Sequence, residues 1–472
     1  MKSDAETRRR GDAAEREGRL RQRLFSLRVS ASPCLRVLPS ILLLALCASG
    51  CGRSSSTESG ARVEPPQPPP AAALPSDAEA TEGSIRFLEA RVKNDPDDFI
   101  ALNKLAGYYL QRQREVGDVK YLELAASAAR SSLNAMPAEQ NLGGLTALAE
   151  TQYAAHDFTQ ARDHAKELIE YEPRKSYGYQ ILGDSLLELG DYDGANAAFE
   201  RMRQLGGSSV MTETRLARLA MLHGDSHEAA SHYTAALNLA LDAVPVSRET
   251  VAWCRWQLGE TAFMTGDYKT AEQHYRDALV TFPDYYRALF GLGRSLAAQN
   301  DFAGAIEQIE RAVKRFPDPI YVAALGDLYK LTGREREASA QYQLVEQIAR
   351  LNQLNGTLYN RQLALFLTDH DMKAEEAYTN AAREYQVRRD IYGADALAWA
   401  ALKAGKVSEA QAAMKDALRL GTRDARLFYH AGMIAKAAGE MASARDYLQR
   451  ALQLNPQFDP LQAAIAVKAL AE

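Results

Sequence analysis

The chain has 472 residues, 46% of them apolar and 25% charged, with 56 Lys and Arg against 61 Asp and Glu. That length exceeds one ordinary globular core, and Ala-rich stretches of helical character with few β-branched runs point to an all-α protein. Four cysteines are too few for a disulfide framework. The acidic balance excludes nucleic acid or an anionic membrane surface as the main partner, because phosphate binding needs a concentrated positive field.

Residues 1–50 read as a removable leader. The apolar run Ile41 to Ala48 follows a basic stretch and is far shorter than the roughly 18 residues that span a bilayer, so it has the form of a signal h-region. It ends in Ala48-Ser49-Gly50-Cys51, which resembles the bacterial lipobox. The resemblance implies that the Cys51 sulfur receives a diacylglyceryl group, that the leader is cut before it, and that the new amino terminus is acylated. Ala48 departs from the commoner Leu at its position, and the rival thiol Cys47 lacks a small residue before it. The other reading is an ordinary cleaved signal peptide with an incidental Cys. Residues 1–36 mix ten Lys and Arg with five Asp and Glu, and no Met follows Met1 until Met136. Either translation starts further in, near Val29 or Val37, or the extension is tolerated.

Without the leader the chain keeps 46 basic and 56 acidic residues, a net charge of −10. Cys51 and Cys254 then remain, and pairing them would tie a tail to a helix, so no structural disulfide is expected. Residues 51–80 form a Ser-, Pro- and Ala-rich tether with almost no bulky apolar side chains. Such composition cannot bury a core and predicts disorder, stiffened toward polyproline II at PPQPPP. Next to a lipidated Cys it would supply reach away from a bilayer.

From Ser84 onward one unit repeats. Gly259, Gly266, Tyr268, Ala271, Tyr275, Ala278 and Pro283 recur as Gly293, Asn300, Phe302, Ala305, Ile309, Ala312 and Pro317. A small residue following an apolar one marks the unit ten times, at Ala106, Ala149, Gly183, Ala217, Gly259, Gly293, Gly326, Ala364, Ala398 and Gly432. Six of the nine intervals fall within one residue of 34. This pattern resembles the tetratricopeptide repeat, a helix–turn–helix unit of that period. The resemblance implies an α-solenoid over residues 84–458, a right-handed superhelix of about ten repeats whose first helices line the concave side.

The local chemistry agrees. Gly190 is placed to end a first helix in the left-handed conformation and Asp191 to cap the second. Gly183 and Ala195 let two helices approach, so Ala195→Leu should cost roughly 1–3 kcal/mol by overpacking. Pro173, Pro283, Pro317 and Pro456 each stop a second helix. Three intervals are irregular. An extra loop, QRQREVGDVK, is expected to project between Tyr109 and Ala125. The segment ALDAVPVSR before Glu249 reads as a hinge or bend, and the helix over Val345 to Leu354 is longer than the unit needs. Ser84 to Asn94 reads as a capping helix at the start and residues 459–472 as one at the end. Residues 394–460 also look like a segment common in uncharacterised bacterial tetratricopeptide proteins.

Chemical motifs are weak. His227 and His232 sit five apart, about 140° round a helix, and so cannot share a metal as the four-apart pair of H-E-x-x-H does. Gly224-Asp225 breaks the helix between His223 and His227. Gly291-Leu292-Gly293 lies inside a first helix without a preceding strand, and reads as repeat packing. Asp95, Asp97 and Asp98 lack the 12-residue calcium loop and read as helix-end residues. Cys254, without a nearby His, reads as a half-buried thiol. No catalytic constellation, metal site or cofactor site is expected.

The tetratricopeptide resemblance further implies that positions 2, 5, 9 and 12 of the first helices touch ligand. By that register Trp253, Trp256, Glu260 and Phe263 line one repeat and Arg287, Phe290 and Arg294 the next, with Tyr177, Trp399 and Tyr429 at equivalent places. Trp and Arg dominate binding hot spots, which makes this the candidate partner groove. The competing reading is that the insertion before Glu249 folds back over Trp253 and Trp256. The Lys/Asn set by which some family members clamp a C-terminal carboxylate is not reproduced. The function that follows is a non-enzymatic, lipid-anchored scaffold in a bacterial envelope, holding a protein or extended peptide. In architecture it resembles the tetratricopeptide lipoproteins that serve pilus, secretin or outer-membrane barrel assembly. Gly52 in place of Asp points to the outer membrane under the enterobacterial sorting rule. The alternative is an accessory subunit of an envelope enzyme acting on peptidoglycan or exported polysaccharide.

Overall fold

In the computed structural model, residues 77–354 and 361–472 are described. The leader, Cys51 and nearly all of the tether lie outside them. Twenty-two α-helices and no strands occur among the described residues. Helix α1 (Asp77–Asn94) precedes ten antiparallel hairpins. Those are α2 (Phe99–Val116) with α3 (Lys120–Ala135), α4 (Leu142–Ala154) with α5 (Phe158–Tyr171), and α6 (Ser176–Leu189) with α7 (Tyr192–Gly206). Next come α8 (Val210–Leu222) with α9 (Ser226–Leu241), α10 (Arg248–Met264) with α11 (Tyr268–Thr281), and α12 (Tyr286–Ala298) with α13 (Phe302–Arg315). The last four are α14 (Pro319–Leu331) with α15 (Glu335–Leu354), α16 (Arg361–Asp369) with α17 (Ala374–Tyr385), α18 (Ile391–Lys403) with α19 (Val407–Ala417), and α20 (Ala425–Ala437) with α21 (Met441–Leu454). Helix α22 (Gln462–Ala471) closes the series.

Each of the ten small marker residues is buried in the first helix of its hairpin. The reason is steric: a Cβ on Gly183 would stand 2.3 Å from the Phe199 ring, and one on Gly432 2.7 Å from Leu448. Tyr275 is fully buried, and a Cβ on either Gly259 or Gly291 would fall 2.5 Å from its ring. The ring therefore fills the space that two glycines leave between α10, α11 and α12. The turns of five consecutive hairpins share one construction. His156, Gly190, Gly224, Gly266 and Asn300 have positive φ, and the Asp after each accepts a hydrogen bond from the backbone N–H three residues on. Each such cap contributes about 1 kcal/mol.

Four expectations are corrected or refined. QRQREV does not project as a loop: it continues α2 to Val116, and only Gly117, in the left-handed conformation, ends the helix. No glycine or proline interrupts that segment, so the extra residues become helical turns. Helix α1 begins at Asp77, so the last residues assigned to the tether are helical. Cys254 is wholly rather than half buried, and burial, aided by Glu249, pushes its thiol up to about 12. Trp399, expected on an open concave face, is only 1% exposed.

First helices touch the first helices of neighbouring repeats, as α10 touches α12 and α18 touches α20, whereas among the described residues second helices make no comparable contact with one another. The first helices therefore form the inner layer of the curve. The curve closes on itself. A Cβ on Gly117 would meet the Phe316 ring, one on Gly190 the Arg389 carbonyl, one on Gly224 the Gly421 carbonyl, and one on Gly266 the Leu454 carbonyl. In each case the turn inside repeat n meets the connection that follows repeat n + 5. Successive superhelical turns thus share a seam. Along it the Tyr192 hydroxyl accepts from the Ile391 N–H at 2.8 Å, and Thr422 donates to the Leu222 carbonyl. Glu188 pairs with both Arg218 and Arg388.

Candidate functional site

The seven groove residues come together on the inner layer as one connected strip. Trp253, Trp256, Glu260 and Phe263 follow one face of α10, and Arg287, Phe290 and Arg294 one face of α12. Rings link along it: Tyr233 to Trp253 at 6.2 Å, Trp253 to Trp256 at 6.3 Å, and Phe290 stacked on Tyr321 of α14 at 4.2 Å. Arg287 lies over the Trp256 ring at 5.2 Å. Arg294 sits over Phe263 at 4.3 Å and Phe290 at 5.2 Å, and donates to both Glu260 oxygens at 3.0 and 2.8 Å. Tyr275 donates to the same carboxylate at 2.7 Å, so a residue of the repeat motif also anchors the strip.

None of the seven is fully exposed. Phe263 and Phe290 are buried, and the two tryptophans, Glu260 and the two arginines are half-buried. The cover is not the insertion before Glu249. That segment stays in solvent, with Val244 97% exposed. What shields the strip is its own aromatic and arginine neighbours and, at one end, the lengthened α2, whose Arg114 carbonyl accepts from the Tyr286 hydroxyl. Glu249 is itself buried with one carboxylate oxygen unbonded, and burial raises its pKa against the pull of Arg114. Burial also acts to lower the pKa of Arg287, yet the neighbouring Tyr286 and Tyr285 raise it overall, which keeps it cationic.

Tyr177 is half-buried, with its hydroxyl on Glu172. Trp399 stacks on His430 at 4.3 Å and donates to Asp369 at 2.9 Å, while Tyr429 donates to Gln462 of α22. The last repeat and α22 thus cover Trp399 and Tyr429, but not Tyr177.

A cavity of about 320 Å³ continues the strip toward α16. Phe263, Phe290 and Arg294 form one wall, Ala324 and Asp327 of α14 and His370 another, and residues 457–460 a third. His370 holds acceptors at both ring nitrogens, the Asp327 carboxylate at 2.8 Å and the Phe366 carbonyl at 2.7 Å. Burial lowers its pKa, but those partners outweigh burial and raise it overall. Sequence reading missed this residue because it lies beyond the first-helix stripe. The available signal was LTDHD at the end of a first helix, where a histidine can reach the preceding repeat.

His223 and His227 are exposed and His232 bonds Glu213. Among the described residues no group of three His, Cys, Asp or Glu could hold a metal ion, and no helix is long and apolar enough to cross a membrane.

Tetratricopeptide repeat family models match residues 146–209, 257–319 and 396–457, and 208–280. Together they span half of the chain. No curated protein matches the sequence. Among solved structures the chain is similar to PilW, described as a widely conserved type IV pilus biogenesis factor, at 15% identity and TM-score 0.37, over 43% of this chain and 91% of that one. A tetratricopeptide repeat protein from Parabacteroides merdae gives 16% identity and TM-score 0.40, over 54% and 93%. The APC/C hetero-tetramer Cut9-Hcn1 gives 13% identity and TM-score 0.31, over 84% and 94%.

Proposed function

Because the chain belongs to the tetratricopeptide repeat family, whose members are protein-interaction scaffolds, we propose that it holds a protein or extended peptide against the inner face of α10, α12 and α14 and catalyses no reaction of its own. The observation that carries this reading is the connected strip from Trp253 to Arg294. Aromatic rings and arginines are the residue types that dominate binding energy, and here they are held rigid by one another before any partner arrives. The Arg294–Glu260 pair and the Arg287–Trp256 contact fix the side chains in place, so little rotamer freedom is left to lose on binding.

The anchor belongs to the same proposal. Cys51 carries the lipid, the tether gives reach, and the array faces the periplasm from the outer membrane, where it supports assembly of envelope machinery. The lipobox-like Ala48-Ser49-Gly50-Cys51 supports that placement. Changing Cys51→Ser should release the protein from membranes; retention would overturn the anchor. Photo-crosslinking in cells from Trp256 should capture a discrete partner. Assembly proteins would support the scaffold, and a cell-wall enzyme would favour the accessory-subunit reading. A site at Trp256 that captures nothing while convex-surface sites capture partners would remove the groove from consideration.

A further inference from the structure

The cavity beyond Phe290 has walls from two superhelical turns, and one side chain of the second turn clasps it to the first. Asn455, only 2% exposed, donates from Nδ2 to the Phe263 carbonyl at 2.8 Å across 192 residues of sequence. Its Oδ1 accepts from the Tyr268 hydroxyl at 2.5 Å, and Tyr268 in turn accepts from the Gln457 N–H at 2.9 Å. The Asn455 amide thereby bonds both α10 and the start of α11, its oxygen also accepting from the Gln457 N–H at 3.2 Å, and residues 457–460 line the cavity. Phe263 belongs to both parts: its carbonyl takes the clasp and its ring lines the cavity.

The charged groups around the cavity all have partners within the chain. Arg294 is paired with Glu260, His370 with Asp327, and Arg426 with Asp459 at 3.0 Å and with Asp369 at 3.7 Å, where Asp369 also accepts from the Trp399 indole N–H at 2.9 Å. No unpaired charge remains among these groups to be met by a ligand, so complementarity favours a neutral occupant, since burying an unmatched charge is costly. The uncharged lining is mainly aromatic and aliphatic, with Phe290, Ala324 and Phe458 prominent, and includes Asn300, Gln362 and Gln457. The volume lies at the lower end of the roughly 300–1,000 Å³ of small-ligand sites, which suits a ring rather than a chain segment.

Building on the peptide-binding reading above, we propose that this cavity receives an uncharged aromatic side chain of the bound peptide, and that the Asn455 clasp controls access to it. The clasp is the specific element because it is polar and buried. Breaking it leaves the Phe263 carbonyl and the Tyr268 hydroxyl to be satisfied by water, which costs little once the seam has parted.

The test uses the full chain with Cys34, Cys47 and Cys51 changed to Ser and Ala324→Cys introduced on the cavity wall; Cys254 stays buried. Labelling of the introduced thiol by a small disulfide reagent reads access. Asn455→Ala should speed labelling on the order of tenfold, and Tyr268→Phe, which keeps the ring and removes one hydroxyl, should give a smaller increase. N-acetyl-tryptophanamide should slow labelling, and N-acetyl-lysinamide should not. Equal labelling rates with and without the clasp would overturn the gating. Protection by the lysine amide but not by the tryptophan amide would overturn the assignment of the occupant. If the tryptophan amide protects while Trp256 crosslinks nothing in cells, the cavity stands and the scaffold function falls. If Trp256 crosslinks a partner but neither amide protects, the scaffold stands and the cavity assignment falls.

Discussion

The seam can be tested at Glu188, the carboxylate that joins two superhelical turns. It sits at the end of α6, pairs with Arg218 of α8 in the next repeat, and pairs with Arg388, which lies 200 residues further along the chain. Arg388 also reaches Glu384 at 3.2 Å, and Arg361 bonds Asp390 at 2.5 Å, so three arginines and three carboxylates alternate. Burial alone would raise the Glu188 pKa, but Arg218 and Arg388 outweigh it and bring it down to about 2. The shift from an ordinary value near 4.5 corresponds to roughly 3 kcal/mol at neutral pH. An independent estimate agrees, since removing one member of a buried ion pair costs about 3–5 kcal/mol. Glu188→Gln should therefore lower seam stability by about 3 kcal/mol at pH 7. The sign with pH is fixed: a depressed carboxylate stabilises above its unfolded pKa, and that gain is lost as pH falls through the folded value. The gap between wild type and variant should be full above pH 4.5 and close toward pH 2. A solenoid need not unfold as one unit, so hydrogen exchange of α6, α8 and α18 gives the magnitude at pH 7, and urea midpoints give the pH series. A gap below about 1 kcal/mol, or one that does not narrow in acid, would refute the view that a buried charge network holds the turns together.

Other expectations are narrower. Gly291→Ala should destabilise by about 1–3 kcal/mol, because its Cβ would fall 2.5 Å from the buried Tyr275 ring. Gly107→Ala, in α2 with nothing within 4 Å, should instead stabilise by up to about 1 kcal/mol; urea unfolding of both variants checks the contrast. His370 has a raised pKa, so its stabilisation is complete below about pH 6.5 and fades as pH rises through the folded value; His370→Gln should flatten the thermal-stability profile across that range. Cys254, buried and with its thiol pushed up to about 12, should resist disulfide reagents at pH 8 until the chain unfolds.

The repeat array was legible because its determinants are local. A small residue where two helices cross and an Asp after a left-handed residue both act within one hairpin, and all ten hairpins stand where the spacing put them. The helical insertion was legible too, and was misread: QRQREV contains no breaker, and Gly117 is the first residue able to end α2. Trp399 was placed in the right layer but given the wrong exposure, because its cover comes from α20 and α22, far along the chain. The same limit applies to the seam. Curvature accumulates from small rotations at every repeat interface, and no local pattern states their sum. A signal did exist after the fact. Gly190 and Gly266 satisfy the turn, yet a Cβ on Gly190 would also stand 2.2 Å from the Arg389 carbonyl; a reading that stopped at backbone conformation found one of its two reasons.

The rule linking repeat n to repeat n + 5 also accounts for where the aromatic strip lies. In an array of ten, the turn of repeat 1 reaches the connection after repeat 6, and the turn of repeat 5 reaches the connection after repeat 10. The fifth and sixth repeats are thus held by both ends of the array. One side is braced by α2 through Tyr286 and Phe316, the other by Asn455 through Phe263 and Tyr268. Those two repeats are α10–α11 and α12–α13, and they carry all seven groove residues. A preorganised surface needs support from behind and from its flanks, and the middle of a solenoid that closes after five repeats is where both ends supply it. It follows that Gly117 and Asn455 brace opposite ends of one strip. Loosening either should free only the rings beside it, Tyr286 in the first case and Phe263 in the second, while the Arg294–Glu260 pair between them keeps the remaining half in place.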